Sequence, residues 1–104
     1  MSLKDIQKDV DEWTSQFTPQ YWPPHEILAR LMEEVGELAR EINHLYGTKK
    51  KKPTEETREM AAEIADIIFT LCCLANSQKI DLDRAWQEMM TKYRERDAQR
   101  YAKK

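Results

Sequence analysis

The sequence predicts an all-α protein built as a bundle of four helices. Apolar residues recur three and four positions apart in four separate segments, and this spacing lines one face of a helix. The 104 residues include only 2 glycines and 4 prolines, which leaves little material for hairpins or for a glycine-rich phosphate loop. A chain of this length fits one domain, which we expect to cover residues 1–104.

The first helix is predicted to follow Ser2, which resembles the N-cap of a capping box closed by Asp5. It should end near Thr18-Pro19 and Pro23-Pro24, because proline lacks a backbone N–H and biases the residue before it away from the helix. The apolar spacing predicts a length of about 15 residues, with apolar positions at Leu3, Ile6, Val10, Trp13 and Phe17.

The second helix is predicted from about His25 to Leu45. Gly47, the Lys49–Lys52 run and Pro53 then form a connecting loop. The apolar stripe of this helix, which we expect to face the core, consists of Ile27, Leu28, Leu31, Val35, Leu38, Ile42 and Leu45.

The third helix is predicted to follow Thr54, a suitable N-cap, with Glu55 and Glu56 near the positive end of the helix dipole. It extends to about Gln78, and its apolar stripe consists of Met60, Ile64, Ile67, Ile68, Leu71 and Leu74. A second side of the helix is apolar and small as well, at Ala62, Ala65, Phe69, Cys72 and Cys73. Burial on more than one side indicates a central helix, or one pressed against another subunit.

The fourth helix is predicted from Leu82 to about Tyr101, with Asp81 as its N-cap. Residues 94–104 are nearly all polar. We therefore expect the tail, residues 97–104, to fray or to contact a partner.

The composition is polar for so short a chain. Hydrophobic residues make up 40% and charged residues 35%, and the mean hydropathy is -0.84. A single copy would have a thin core, so we predict that a homo-oligomer, a dimer or tetramer, completes the burial.

The net charge of -2 gives no general attraction to nucleic acid or to an anionic membrane. No apolar run approaches the ~20 residues of a membrane span, and the N-terminus lacks a signal-peptide core, so we expect a cytoplasmic protein. Cys72 and Cys73 are adjacent, which suits neither a structural disulfide nor a zinc pair, and we expect reduced, buried thiols.

Two carboxylate pairs flank the apolar stripes of helices two and three. At about 100° per residue, Glu34 and Glu37 lie to one side of the Val35 stripe, with Glu41 between them. Glu63 and Asp66 take the same offsets from the stripe of helix three. If these helices pack antiparallel through their apolar stripes, four carboxylates converge and need a cation. Oxygen-only ligands favour Mg²⁺, with Mn²⁺ as the alternative.

Other interpretations of the same pattern remain open at this point. Glutamates three residues apart on a helix are often a solvated face, and an acidic groove suits a non-catalytic helical interaction module. A di-iron bundle needs two Glu-x-x-His motifs, but only Glu41 and His44 supply one. A P-loop is excluded because its motif is absent from the sequence.

The spaced acidic motif resembles the E-E-x-x-E…E-x-x-D signature of MazG-like nucleotide pyrophosphohydrolases. It reads Glu33-Glu34-Val35-Gly36-Glu37 and, after 25 residues, Glu63-Ile64-Ala65-Asp66. The surrounding "EEVGELAREI" and "EIADIIFTLCCLANSQKIDLDRA" are similar to that family as well. The similarity runs from Trp13 to Arg96.

The resemblance implies hydrolysis of (d)NTPs between the α- and β-phosphates, releasing a nucleoside monophosphate and pyrophosphate, with clearance of non-canonical nucleotides as an expected role. It implies an oligomeric helical bundle with the active site near subunit contacts. Glu33, the leading glutamate, would orient the attacking water. The implied metal ligands are Glu34, Glu37, Glu63 and Asp66.

Further residues are candidates for contact with the substrate. Lys92, Arg94 and Arg96 could stabilise the leaving pyrophosphate, followed by the Lys49–Lys52 loop. Trp22, in the proline-rich turn, could stack on a base, or it could pack at the corner between helices one and two.

Three positions bear on the choice of substrate. Many relatives have Asn where this chain has Cys73, and its own Asn76 falls three residues later. Short dCTP-directed relatives have an Asn where this chain has Tyr93. Because other all-helical relatives act on dUTP or phosphoribosyl-ATP, the reaction class is predicted more firmly than the substrate.

Overall fold

The computed structural model describes residues 1–46 and 53–104, and the side chains of residues 1–46 and 59–104. Within these ranges the chain forms four helices and no strand, which confirms the all-α prediction. Gly47, the Lys49–Lys52 run and the side chain of the predicted N-cap Thr54 lie outside the described part. The helices are α1 Leu3–Thr14, α2 Pro24–Tyr46, α3 Pro53–Ser77 and α4 Leu82–Arg96.

Helix α1 begins at the predicted capping box. The Asp5 N–H donates to Ser2 Oγ at 3.0 Å, and the Ser2 N–H donates to Asp5 Oδ2 at 2.9 Å. The helix ends at Thr14, earlier than predicted, because the Phe17 N–H bonds to the Thr14 carbonyl three residues back and tightens the chain into a turn.

Helices α3 and α4 are joined by a tight turn. Lys79 has a φ of 56°, and the Ile80 N–H reaches back to the Ala75 carbonyl at 2.8 Å, as in a Schellman motif. Asp81 then caps α4, since its Oδ1 accepts from the N–H groups of Asp83 and Arg84. The turn sets the direction in which α4 leaves α3.

Helix α4 ends at Arg96 rather than near Tyr101. The Asp97 N–H donates to the Tyr93 carbonyl and closes the last turn. The Asp97 carboxylate pairs with the guanidinium groups of Arg96 and Arg100. These ion pairs stabilise a non-helical conformation of the chain after Arg96.

The main helix contact is between α2 and α3. Helix α2 ends at Tyr46 and α3 begins at Pro53, and two packed helices with so short a connection run antiparallel. Helix α1 packs on α3, and α4 packs on α1.

A polar bracket fixes α1 to the end of α3. The Gln7 side chain donates to Asn76 Oδ1 at 2.9 Å and to the Ile80 carbonyl at 2.7 Å, and it accepts from the Leu82 N–H. Asn76 in turn donates to the Gln7 carbonyl and to the Tyr21 hydroxyl. The bracket therefore also holds the loop that leads into α2.

The chain is more open than a compact domain. Its radius of gyration is 17.1 Å, whereas about 13 Å is expected for a compact chain of ~100 residues. Among the described residues, the buried apolar side chains are Val10, Ile27, Cys72 and Ala75. A core this small agrees with the thin core predicted from composition.

The predicted packing face of α2 is confirmed only in part: Ile27 of the apolar stripe is buried, but the middle of the stripe is not. Val35, at the centre of the apolar stripe, is 41% exposed, while Glu34 is only 3% exposed. The stripe on α3 is open in the same way, with Ile68 40% exposed. Periodicity shows which residues share a face, but it does not show what covers that face. Helices α2 and α3 meet through their carboxylate-bearing sides.

One segment of α3 is longer and more apolar than the sequence analysis expected of any helix in this chain. By length and composition alone, Glu59–Ser77 could cross a bilayer, with a mean hydropathy of 1.4. It carries Glu63 and Asp66, and a charge near the bilayer centre costs about 2.5–3.5 kcal/mol on insertion scales. Helix α3 packs on α1 and α2, but only 17% of this segment is buried within the single chain.

Candidate metal centre and adjoining cavity

Three of the predicted carboxylates meet between α2 and α3. Glu34 and Glu37 lie one turn apart on α2, and Glu63 projects from α3. Ligand oxygens of the three lie within 4.8 Å of one another. Glu34 is buried, and the other two are half-buried. The antiparallel helix pair thus brings two separate segments of the sequence to one point.

The electrostatics of this cluster favour a bound cation. Glu34 Oε2 and Glu63 Oε2 are buried and have no hydrogen-bond partner. Burial, and after it the neighbouring Glu37 and Glu34 carboxylates, raises the pKa of Glu63 to about 7. Buried carboxylates that repel one another need a shared proton or a cation. The donor set is oxygen only, so the residues present fit Mg²⁺ or Mn²⁺.

Asp66, the fourth predicted ligand, lies beside this group rather than within it. It follows Glu63 by one turn on α3 and is exposed, and it lines a cavity together with Glu34. Its backbone carbonyl accepts from the Thr70 hydroxyl at 2.8 Å. Asp66 therefore stands where the carboxylate cluster opens into the cavity.

Glu33 is exposed on α2 and is not one of the three clustered carboxylates. Neighbouring residues on a helix point about 100° apart, so burial of Glu34 between the helices turns Glu33 away. The structure gives no support from geometry for a water-orienting role of Glu33.

A cavity of about 560 Å³ adjoins the cluster, within the usual size range of small-molecule sites. The loop after α1 forms one wall, and α2 and α3 form the others. Trp22, the predicted base-stacking residue, lines it and is about half exposed. The full lining is Thr14, Phe17, Thr18, Pro19, Gln20, Trp22, Ile27, Arg30, Glu34, Asp66, Phe69, Thr70 and Cys73.

Cys73, the first of the departures from the family pattern, also lines this cavity. Burial raises the pKa of its thiol to about 11, so at neutral pH it is an uncharged hydrogen-bonding group rather than a nucleophile. Both cysteines are free, and Cys72 is buried as predicted, but Cys73 is only half-buried.

Asn76 does not reach the site. Its carboxamide is engaged on both sides, by Gln7 and by the Tyr21 hydroxyl, in the bracket that joins α1 to α3. The predicted contact between Asn76 and the substrate is corrected accordingly, because the amide that would make it already holds the fold together.

The predicted phosphate contacts on α4 lie elsewhere on the chain. Lys92, Tyr93 and Arg96 border a separate hollow of about 330 Å³ with Ala85, Glu88 and Met89. The Arg96 guanidinium lies 5.6 Å from the centre of the Tyr93 ring and pairs with Asp97. None of the three lines the cavity beside the carboxylates. The Lys49–Lys52 loop lies outside the described residues.

Arg30 is a site residue that was not predicted from the sequence. It precedes Glu34 by one turn on α2, and its Nε lies 2.9 Å from Glu34 Oε1. The four-residue spacing of an arginine and a motif glutamate was a readable signal. Thr14, Gln20 and Thr70 were missed as well, and only the fold brings them to the cavity.

Comparison with known proteins places these features in a family. Residues 23–101 match the MazG nucleotide pyrophosphohydrolase domain. Protein YpjD of Bacillus subtilis (strain 168) is 48% identical over 103 residues, which cover 99% of this chain and 93% of YpjD. Protein YvdC of the same organism is 29% identical over 102 residues, covering 88% of this chain and 95% of YvdC.

Solved structures agree. A crystal structure of Bacillus subtilis YpjD is 49% identical, with a TM-score of 0.81, and the match covers 89% of this chain and 95% of that one. The crystal structure of a Bacillus-conserved MazG protein, described as a nucleotide pyrophosphohydrolase, is 42% identical, with a TM-score of 0.77 and coverage of 89% and 90%.

These matches decide between the interpretations that the acidic pattern left open. The match to the family domain covers residues 23–101, which is most of the chain. YpjD is 48% identical to this chain, which is high enough to show common family membership. An enzyme acting on phosphoric anhydrides is supported, and a non-catalytic interaction module is not. The chain belongs to the MazG nucleotide pyrophosphohydrolase family.

Proposed function

We propose that the protein hydrolyses (d)NTPs between the α- and β-phosphates, releasing a (d)NMP and pyrophosphate, with Mg²⁺ or Mn²⁺ as its cofactor. The observation that carries the proposal is the meeting of Glu34, Glu37 and Glu63, two of which hold buried oxygens without a partner. Clearance of non-canonical nucleotides in the cytoplasm is the role we propose.

The cation would be held by Glu34, Glu37 and Glu63, with Asp66 available at the mouth of the cluster. When bound, Mg²⁺ supplies charge neutralisation for phosphate oxygens. A carboxylate of the site would accept a proton from the attacking water. Asp66 is suited to that task because it is exposed at the cavity, where water has access.

The cavity would hold the nucleoside. Trp22, Phe17 and Phe69 supply aromatic surface on which a base can stack, while Thr70 and Cys73 supply small polar groups. The cavity and the carboxylates share Glu34, so a nucleoside in the cavity would have its phosphates directed at the metal centre.

A homo-oligomer completes the proposal. The exposed apolar faces of α2 and α3 would be covered by a second copy of the chain. Lys92 and Arg96 lie away from the cavity of their own protomer, so their contact with the leaving pyrophosphate would depend on that assembly.

The test is a panel of canonical and modified (d)NTPs incubated with Mg²⁺ or Mn²⁺, in which pyrophosphate and orthophosphate are measured separately. We expect pyrophosphate together with the monophosphate, and no turnover in EDTA. Orthophosphate as the first product, or turnover that survives EDTA, would contradict the proposed reaction.

Glu37→Gln tests the metal centre directly. It removes one carboxylate from the cluster with little change in shape, and we expect kcat to fall by at least about 100-fold while the far-UV circular dichroism is retained. Glu12→Gln is the matched control, because Glu12 is exposed on α1. Equal activity in the two variants would remove Glu37 from the site.

A further inference from the structure

Arg30 stands at the junction of the carboxylate cluster and the cavity. Its Nε lies 2.9 Å from Glu34 Oε1, and its side chain is 54% exposed, whereas that of Glu34 is 3% exposed. The two oxygens of Glu34 are thus divided, because Oε1 faces Arg30 while Oε2 is buried without a partner.

Among the described residues that line the cavity, Arg30 is the single cation, and the other charged groups are Glu34 and Asp66. A nucleoside triphosphate brings several negative charges to this point. A guanidinium presents five N–H donors in a plane, which suits two oxygens of one phosphate group. Glu34 engages its Nε, while the Arg30 side chain as a whole is 54% exposed and lines the cavity.

The order of groups along the site decides which phosphate Arg30 can reach. The aromatic residues line the cavity, and the carboxylates lie between the helices. Arg30 lines the cavity and also pairs with Glu34 of the carboxylate cluster. With the nucleoside in the cavity, as proposed above, the phosphate next to the ribose lies at this boundary.

We propose that Arg30 contacts the α-phosphate of the bound nucleotide and that, in the nucleotide-free protein, it holds Glu34 in place for the metal centre. This inference rests on the proposed function for the identity of the ligand. When the nucleotide binds, Arg30 exchanges Glu34 Oε1 for the α-phosphate, and Oε1 becomes available to the cation. Arg30 is then a specificity residue for phosphorylated nucleosides.

The test compares a nucleoside with its own 5′-monophosphate, which differ only by the group that Arg30 is proposed to contact. Dissociation constants are measured by NMR titration in Mg²⁺, using the base that is turned over fastest, or each common base in turn if none is. We expect the wild-type protein to prefer the monophosphate by at least about tenfold, as for a charge-assisted hydrogen bond, and Arg30→Gln to lose that preference without weaker binding of the nucleoside.

Arg84→Gln is the matched control. Arg84 pairs with Glu88 at the same four-residue spacing, with Nε 3.2 Å from Oε1, on the exposed surface of α4. It should keep the wild-type preference. Arg30→Lys keeps the charge but not the planar group, and it should recover part of the preference.

A Mn²⁺ titration without nucleotide separates contact from positioning. If Arg30 only orients Glu34, Arg30→Gln will weaken Mn²⁺ binding and leave the monophosphate preference intact, which would overturn the inference. Failure of the wild-type protein to hydrolyse any triphosphate would instead count against the proposed function, while the nucleoside comparison would still report on Arg30.

Discussion

Glu63 shows how strongly a single side chain depends on the fold around it. In the sequence it is one of many glutamates, and only its spacing from Asp66 marks it. In the structure, burial and two neighbouring carboxylates raise its pKa from 4.5 to about 7. The protein without metal therefore keeps a proton there that an exposed glutamate would have lost.

This shift predicts a pH dependence of stability in the metal-free protein. Between about pH 4.5 and 7 the folded state binds a proton on Glu63 that the unfolded chain releases, so the free energy of unfolding should fall as pH rises through this window. In EDTA, we expect the melting temperature to drop more between about pH 5 and 8 in the wild type than in Glu63→Gln.

Glu12→Gln serves as the control for that measurement and should follow the wild type. Saturating Mg²⁺ at pH 8 should raise the melting temperature of the wild type more than that of Glu63→Gln, because the cation replaces the proton. If the melting temperatures of wild type and Glu63→Gln in EDTA change with pH in parallel, the pKa of Glu63 is not raised in the folded protein.

Asn76 predicts a separation between stability and binding. Asn76→Ala leaves the Tyr21 hydroxyl and the backbone carbonyl of Gln7 without its amide, which should lower the free energy of unfolding by about 1–3 kcal/mol. KM should stay near the wild-type value, measured well below the melting temperature. Gln78→Ala, at an exposed neighbouring position, is the control. A large rise in KM with unchanged stability would restore Asn76 to the substrate site.

At the scale of the element, the turn between α3 and α4 contains the clearest local strain. Lys79 adopts φ 56°, a left-handed conformation that glycine accepts readily and lysine does not. Lys79→Gly should therefore raise the free energy of unfolding by about 1 kcal/mol in urea denaturation, whereas Lys79→Val should lower it. A loss of stability in Lys79→Gly would show that contacts of the lysine side chain stabilise the fold by more than the backbone conformation costs.

The helices themselves were predictable because their signals are local. Ser2 and Asp81 are caps whose effect extends only to the next turn, and the structure confirms both. The ends that were predicted too late, near Phe17 and Tyr101, are set by a turn and by an ion pair outside the helical repeat.

The faces of the helices were less predictable. Val35 and Glu34 are neighbours in sequence, and hydrophobicity alone assigns the valine to the inside. The structure reverses this order, because the contact between α2 and α3 is built around the carboxylates. The convergence of Glu34, Glu37 and Glu63 followed from their spacing, but Arg30 and the cavity lining depend on chain segments brought together from α1, α2 and α3.

At the scale of the whole molecule, a single copy of the chain leaves large apolar side chains exposed to solvent. We propose that a second copy covers them. Val35 and Ile42 on α2 and Ile64 and Ile68 on α3 are each at least 40% exposed. Large apolar side chains left exposed along two helices of a polar protein are typical of an interface between subunits.

We expect light scattering at micromolar concentration to give at least twice the chain mass of 12.4 kDa. Ile68→Glu places a charge on the exposed apolar face and should reduce the measured mass. Gln16→Glu, an exposed change of equal charge, should not. A wild-type mass of 12.4 kDa would contradict the proposed assembly.

The burial of Glu34 between α2 and α3 links the cofactor to the lifetime of the protein. The side chains that would hold the cation lie at the contact between α2 and α3, the two longest helices. A cation bound there would therefore also stabilise the folded chain. If a divalent cation is bound there as proposed, its loss would also loosen the contact between α2 and α3, and proteases would cut the chain faster.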